Sequence, residues 1–504
     1  MKSIRTRLTT QPKLHDIMPR IKWYAGIMAL LMMVQGYSPL FGQDNNKVNR
    51  FFQAGASKSN ITPPLDEPIV GNWDSPPADY IHDEIFSRCL VLDDGETKLG
   101  IVMVDNVGVK QEVFDAAKKM IHEATGLPET HLMIASTHTH SSISAGGTGA
   151  KRRGWSEGEP LDAYQSFMAS RIADGVQVAL KNLEPARIGW GTGSVPQHVF
   201  NRRWKMKPGT PMPNPLGGDD LAVMNPGVAN PNLSEPAGPT DPEVAYISVQ
   251  AIDGRPLALL ANYSLHYVGG VPKGHISADY FGVFADRIQE LLQKDGEHPP
   301  FVAMMSNGTS GDVNNINFRG PSVRHPPYGK MKVVAEDVAR EVLKSYHDIA
   351  YRDWVELNAK QAYLPLKVRK PSPELSKFVS KVLERPEGET GRHRLEKTYA
   401  ERVVQMETWP DEINVIIQAF KIGNLGIGAI PFETFAETGL EIKDKSPFDK
   451  TFTISIANGS YGYLPTPQQH ELGGYETWLS TNRVEKVASE KIVDQLLKLL
   501  SSMD

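Results

Sequence analysis

The residues Ser136-Thr137-His138-Thr139-His140-Ser141-Ser142 follow the apolar run Leu132-Met133-Ile134-Ala135 and precede the glycine-rich stretch Ala145-Gly146-Gly147-Thr148-Gly149. In extended backbone, side chains two positions apart point to the same side. The imidazoles of His138 and His140 therefore face one spot. They would act there as a metal ligand with a proton-transfer partner, or as two ligands. Set before a glycine-rich loop at a strand end, this pattern points to a metallohydrolase rather than a binding module.

Other potential ligands share that position. His266 closes the apolar run that begins at Leu257, and Gly269-Gly270 follow it. Glu433 comes directly after Leu425 to Phe432, and Tyr463 shortly after Phe452 to Gly459. A fifth apolar run, Phe301 to Met305, leads into Ser306-Asn307-Gly308-Thr309-Ser310-Gly311-Asp312. Each has a plain structural reading: a satisfied histidine, a first-turn helix acid, a packing tyrosine, a turn. Their common place at strand ends argues for a site, because open α/β sheets bind ligands where strands give way to loops. Two histidines and a carboxylate with a position left for water form a catalytic zinc set.

The elements that must position these residues can also be read. Ser87–Leu92 and Leu99–Val104 flank an Asp-Gly turn and predict a hairpin. Val244–Ile252 with Pro256–Asn262, and Val415–Ile422 with Gly426–Ile430, predict two more. Helical spacing of apolar residues covers 111–125, 164–182, 280–294, 333–349, 374–384, 395–406 and 482–501. The last is entered through the cap-like Ser480-Thr481-Asn482. Together these predict a layered α/β domain over 50–504, with a mixed β-sheet core and flanking helices. One segment breaks the pattern. Lys207 to Pro242 contains nine prolines and little periodicity, as expected of a functional insertion such as a lid over the substrate.

The 504 residues carry a net charge of −5, with 40% hydrophobic and 22% charged side chains. That composition is globular and calls for neither nucleic acid nor an anionic membrane as partner. Lys2, Arg5, Arg7, Lys13, Arg20 and Lys22 precede the short apolar stretch Trp23–Val34, with a cleavage zone near Gly42 or Gln43. Residues 1–43 therefore read as a signal peptide, with an uncleaved anchor as the alternative, and the protein is expected to be periplasmic or secreted. Cys89, the single cysteine, sits in an apolar run as a structural thiol, so catalysis must come from elsewhere.

From about Ala54 to about Leu479 the order of these motifs resembles the catalytic domain of the neutral (non-lysosomal) ceramidases, zinc amidases that split the N-acyl bond of ceramide. The resemblance implies zinc ligands His138, His266, Glu433 and Tyr463, with His140 serving catalysis. It further implies an active-site arginine at Arg202 and an active-site tyrosine at Tyr475, twelve residues past Tyr463. The chain departs from the family in two ways. The family reads Gly-Asp-Val-Ser-Pro-Asn with a catalytic serine, whereas here Gly311-Asp312-Val313 lead to Asn314. An asparagine cannot be a nucleophile, but its amide can donate a hydrogen bond. Ceramidases also continue into a C-terminal β-sandwich-like domain, whereas this sequence stops about 25 residues after Leu479. The expectation is a zinc hydrolase of an amide (N-acyl) bond, acting on a small-molecule or lipid substrate with a zinc-activated water and no stable transmembrane partner. The alternatives are a zinc hydrolase of a polar, glycan-linked amide or ester, and an inactive protein that retains zinc.

Overall fold

Alternation along the central strands sends neighbouring side chains into different cores. Leu90 and Leu92, Ile101 and Met103, and Ile247 and Val249 enter one apolar cluster. Their neighbours Cys89 and Val91, with Val102 and Val104, enter a second, and Val244 and Tyr246 a third. Strands buried on both faces need cover on both sides, and the chain supplies it. A computed structural model describes residues 51–146, 155, 158–293, 301–386, 388–389 and 391–504. Residues 1–43, expected to form a signal peptide, and residues 147–149 of the glycine-rich stretch lie outside the described residues.

An eight-stranded sheet runs in the order Val302–Asn307, Pro256–Tyr263, Glu243–Ala251, Glu184–Ser194, Gln53–Asn60, Phe86–Asp93, Lys98–Val104 and Leu132–Ser136. Its outermost pair at each edge is parallel and the rest is antiparallel. A four-stranded sheet, Leu357–Lys367, Glu412–Ile422, Leu425–Ile430 and Lys450–Ser455, also ends in a parallel pair. The two sheets pack face to face, with Leu92, Ile101, Ile247 and Leu260 against Phe420, Ile427, Phe452 and Ile454.

Helices Gln111–Thr125 and Ala163–Lys181 cover one half of the larger sheet's outer face, and Asp279–Leu292 and Gly329–Tyr346 the other. Pro373–Leu383, Glu396–Met406, Ala436–Lys445 and Ala488–Ser501 cover the smaller sheet. The layered α/β architecture with a mixed sheet is thus present, and all three predicted hairpins form.

Three local expectations need correction. The last helix starts at Ala488, not Asn482. Thr481 and Asn482 are used elsewhere: Thr481 Oγ1 bonds the Tyr399 hydroxyl at 2.5 Å, and Asn482 Nδ2 donates to the Tyr463 carbonyl at 3.1 Å. The short helices Ala436–Lys445 and Pro467–Leu472 were not anticipated. The proline-rich insertion is also not a bare loop, because Ala222–Met224 and Leu233–Pro236 flank Arg203–Met206 in a small sheet.

The larger sheet curls. Val302–Asn307 and Leu132–Ser136 are opposite edges, yet Asn307 Nδ2 donates to the Thr137 carbonyl at 3.3 Å. The smaller sheet joins at the same place through a bridge between Ala135 and Ala457 and the bond from Asn458 N to Ile134 O. Both edges and the second sheet therefore deliver their strand ends to one point.

Candidate metal centre

His138 lies two residues past its strand with a left-handed φ of 79°. The extended-backbone picture of the His-x-His pair is thus replaced by a tight turn, held by the bond from His138 N to Asn106 O. A non-glycine residue in that region stores strain that the surroundings must hold. His266 stands three residues past the end of Pro256–Tyr263. Glu433 pairs in register with Tyr463 in a short parallel ladder.

The side chains converge. His138 Nε2 lies 2.9 Å from His266 Nε2, 3.1 Å from His140 Nε2 and 3.4 Å from Glu433 Oε2. His266 Nε2 is 3.7 Å from the same carboxylate oxygen. His138 Nδ1 donates to the Val107 carbonyl at 2.6 Å, and His266 Nδ1 to the Ser310 carbonyl at 3.0 Å. Because a carbonyl only accepts, both rings carry their proton on Nδ1 when neutral. Two bare Nε2 lone pairs therefore face each other across 2.9 Å. That arrangement repels unless a cation lies between them. Burial first, then the neighbouring His138 ring and Arg202, hold His140 and His266 well below the usual imidazole range, which keeps them in the ligand form. Glu433 Oε2 is buried without a hydrogen-bond partner. Burial raises its carboxyl, but His138, the Tyr463 hydroxyl and Arg202 outweigh this and leave it below the ordinary value. Ligand atoms around a tetrahedral zinc stand roughly 3.3 Å apart, given bonds of about 2.0–2.1 Å, and the observed separations bracket that figure. The buried group His138, His140 and His266 can hold a metal ion, and backbone carbonyls orient two of its rings, as is usual for metal-bound histidine.

Around this centre, Arg202 lies over the Tyr463 ring at 5.2 Å and donates from Nε to Glu476 at 2.9 Å, and its Nη2 has no hydrogen-bond partner. Tyr475 meets the Tyr463 ring edge-on at 5.7 Å and lines a cleft of about 200 Å³ together with Glu433 and Tyr463. Asn314 has other engagements. Its amide donates to Asn225 Oδ1 at 2.8 Å and its carbonyl accepts from Ile316 N at 3.0 Å, tying the loop to the proline-rich insertion. Ser310 accepts from His266 Nδ1 at its main-chain carbonyl, and its hydroxyl donates to Asn307 Oδ1 at 2.7 Å while lying 3.4 Å from the same Nδ1. Cys89 is buried away from any such role, and burial pushes its thiol up to about 12.

Sequence reasoning missed three supports. Glu476, fully buried, binds both Arg202 and Arg203. Tyr267 stacks on His140 at 3.7 Å; its place beside His266 was the available signal. Gly71, with φ of 113°, backs directly onto the His140 ring, where a Cβ would come within 2.7 Å of the imidazole. Gly71→Ala is accordingly expected to displace His140 and slow turnover by roughly 10-fold or more, the scale on which a positioning fault acts. Its metal content should stay near normal if His138, His266 and Glu433 suffice to hold the ion, which elemental analysis of the purified variant checks.

No family model matches the sequence. Among solved structures, that of neutral ceramidase from Pseudomonas aeruginosa superposes with a TM-score of 0.65 over 90% of this chain and 75% of that one, at 15% identity. A ceramidase complexed with C2 matches to the same extent. The fold is that of neutral ceramidase. At this low identity the likeness concerns the backbone: the neutral ceramidase fold supplies the frame on which His138, His266, Glu433 and Tyr463 meet.

Proposed function

We propose that this protein is an exported zinc-dependent hydrolase that splits an N-acyl (amide) bond. The facing Nε2 atoms of His138 and His266, with the unpartnered Glu433 oxygen beside them, carry the reading. His138, His266, Glu433 and the Tyr463 hydroxyl would hold the ion. Zinc bound there supplies a Lewis acid that polarises an acyl carbonyl and makes water acidic enough to attack near neutral pH.

The chain's own residues do the rest. His140, neutral and stacked on Tyr267, is placed to take up a proton and return it to the leaving amine. Arg202, fixed by Glu476, presents Nη2 as a donor for the oxygen that gains charge as the carbonyl is attacked. Tyr475 closes one wall of the cleft. In the balanced reaction the water oxygen ends on the acyl carbon and a proton on the amine nitrogen. No serine nucleophile is needed, in keeping with Asn314 at that position.

Export is proposed from residues 1–43, and N-terminal sequencing of the native protein tests it. A start between Gly42 and Asn46 supports cleavage, whereas a start at Met1 speaks against it. The hydrolase reading is tested by elemental analysis and by turnover of N-acyl amides before and after chelation. Near-stoichiometric zinc and activity restored by zinc are expected. Full activity in metal-free protein would overturn the reading.

A further inference from the structure

The cleft beside the candidate metal centre carries two guanidiniums on its wall. Arg402, from the helix Glu396–Met406, and Arg483, just past the turn at Ser480, both line it. Among the described residues neither guanidinium has a carboxylate within ion-pair distance, in contrast to Arg202 and Arg203, which share Glu476. Stacking holds both in place. Arg402 lies 5.3 Å from the Trp73 ring centre and 5.0 Å from that of Tyr399, and Arg483 lies 5.1 Å from that of Trp409. Such pre-set guanidiniums suit recognition of planar anions.

The same wall carries buried polar atoms without partners: Arg402 Nε, Gln405 Oε1 and Ser480 Oγ. Leaving such groups unsatisfied is costly, and natural proteins keep few of them without a reason. Ser480 also has a left-handed φ of 81°, the kind of backbone strain that collects at ligand sites. Burial draws Arg483 down to about 10, offset in part by Glu433; an arriving anion would relieve that cost. The lining carboxylate, Glu433, belongs to the metal set. Beyond Trp73 and Tyr475 a separate groove has Met212, Val223, Met224, Leu395 and Trp478 on an apolar side suited to an acyl chain, with Asp220, His393 and Arg394 also on its walls.

We propose that the substrate is an N-acyl compound bearing a carboxylate or comparable anionic group close to the scissile amide, seated between Arg402 and Arg483. A ceramide headgroup is neutral and would leave both guanidiniums unmatched. The inference rests on the amide-hydrolase reading above, so its test includes a binding arm that needs no turnover.

With zinc-loaded protein, kcat/KM is compared for N-octanoylglycine and N-octanoylethanolamine, which share an acyl chain and differ in charge. A preference of about 10- to 100-fold for the glycine conjugate is expected, the scale of one or two charge-assisted hydrogen bonds. Arg402→Gln and Arg483→Gln should each reduce that ratio, and Arg402→Lys, which keeps the charge, should restore part of it. In parallel, calorimetry compares 4-oxoundecanoate, in which a methylene replaces the amide nitrogen, with the neutral 1-hydroxyundecan-4-one. Tighter binding of the keto acid, lost in the glutamine variants, supports the inference even if neither amide is cleaved, a result that would count against the hydrolase reading alone. Equal binding of the two ketones overturns it, as does an amide ratio that both glutamine variants leave unchanged.

Discussion

His266→Ala is expected to lose its metal and its hydrolytic activity together, while the protein remains folded. The ring stands where the lone pair of His138 points, 2.9 Å away, and it is oriented by the Ser310 carbonyl. Removing it takes away one ligand and leaves a hole beside His138, His140 and Glu433. The expected drop exceeds the roughly 10²–10³-fold typical of losing a single oxyanion donor, because both the Lewis acid and the positioned water depend on the ion. Metal content by elemental analysis, read alongside turnover of an N-acyl amide, checks this. A variant that keeps stoichiometric zinc and near-normal turnover would remove His266 from the ligand set. The circular dichroism spectrum should stay native, because replacing His266 disturbs none of the strand ladders.

The second large effect concerns stability. Glu476 is fully buried and accepts from Arg202 at 2.9 Å and from Arg203 at 2.7 Å. Arg203 is itself buried and also donates to Gln469 and to the Gly473 carbonyl. Glu476→Ala would leave two guanidiniums in the interior without the carboxylate that pairs them. Breaking a buried ion pair from one side costs about 3–5 kcal/mol, so the urea midpoint should fall sharply. Glu476→Gln, which keeps one acceptor oxygen and the side-chain shape, should lose less. Glu476→Ala releases Arg202, and its turnover should fall further than stability alone explains when measured where the variant is fully folded. A Glu476→Ala protein with an unchanged midpoint would mean that Arg203's bonds to Gln469 and Gly473 suffice to hold this network.

Much of the fold was legible because its signals are local. Asp-Gly and Asn-containing turns between apolar runs marked the three hairpins, and the 3.6-residue spacing of Val113, Phe114, Ala117 and Ile121 marked a helix that ends at Gly126 in a left-handed cap. The helix expected at Asn482 failed for a physical reason. Thr481 and Asn482 resemble a cap in isolation, but their side chains are taken by Tyr399 and by the Tyr463 backbone. A capping signal holds only while no tertiary partner outbids it.

The site divides in the same way. Residue types and their places at strand ends singled out His138, His140, His266, Glu433 and Tyr463, because a metal needs particular donor atoms and those are written in the sequence. That they meet was not so written. His138 and His266 follow strands near opposite edges of an eight-stranded sheet, and only the curl of that sheet, with the bridge from Ala135 to Ala457, closes the gap to 2.9 Å. The left-handed turn at His138, the Glu476 clamp on Arg202 and Arg203, and the lack of a paired carboxylate for Arg402 and Arg483 among the described residues belong to the tertiary structure alone. Each depends on groups far apart in the chain, and no local pattern records which charge will be paired and which left open. The sequence by itself determined the candidate donor atoms and the layered α/β class; the curl of the sheet decided that those donors share one point, and packing decided which charges, among the described residues, were left unpaired.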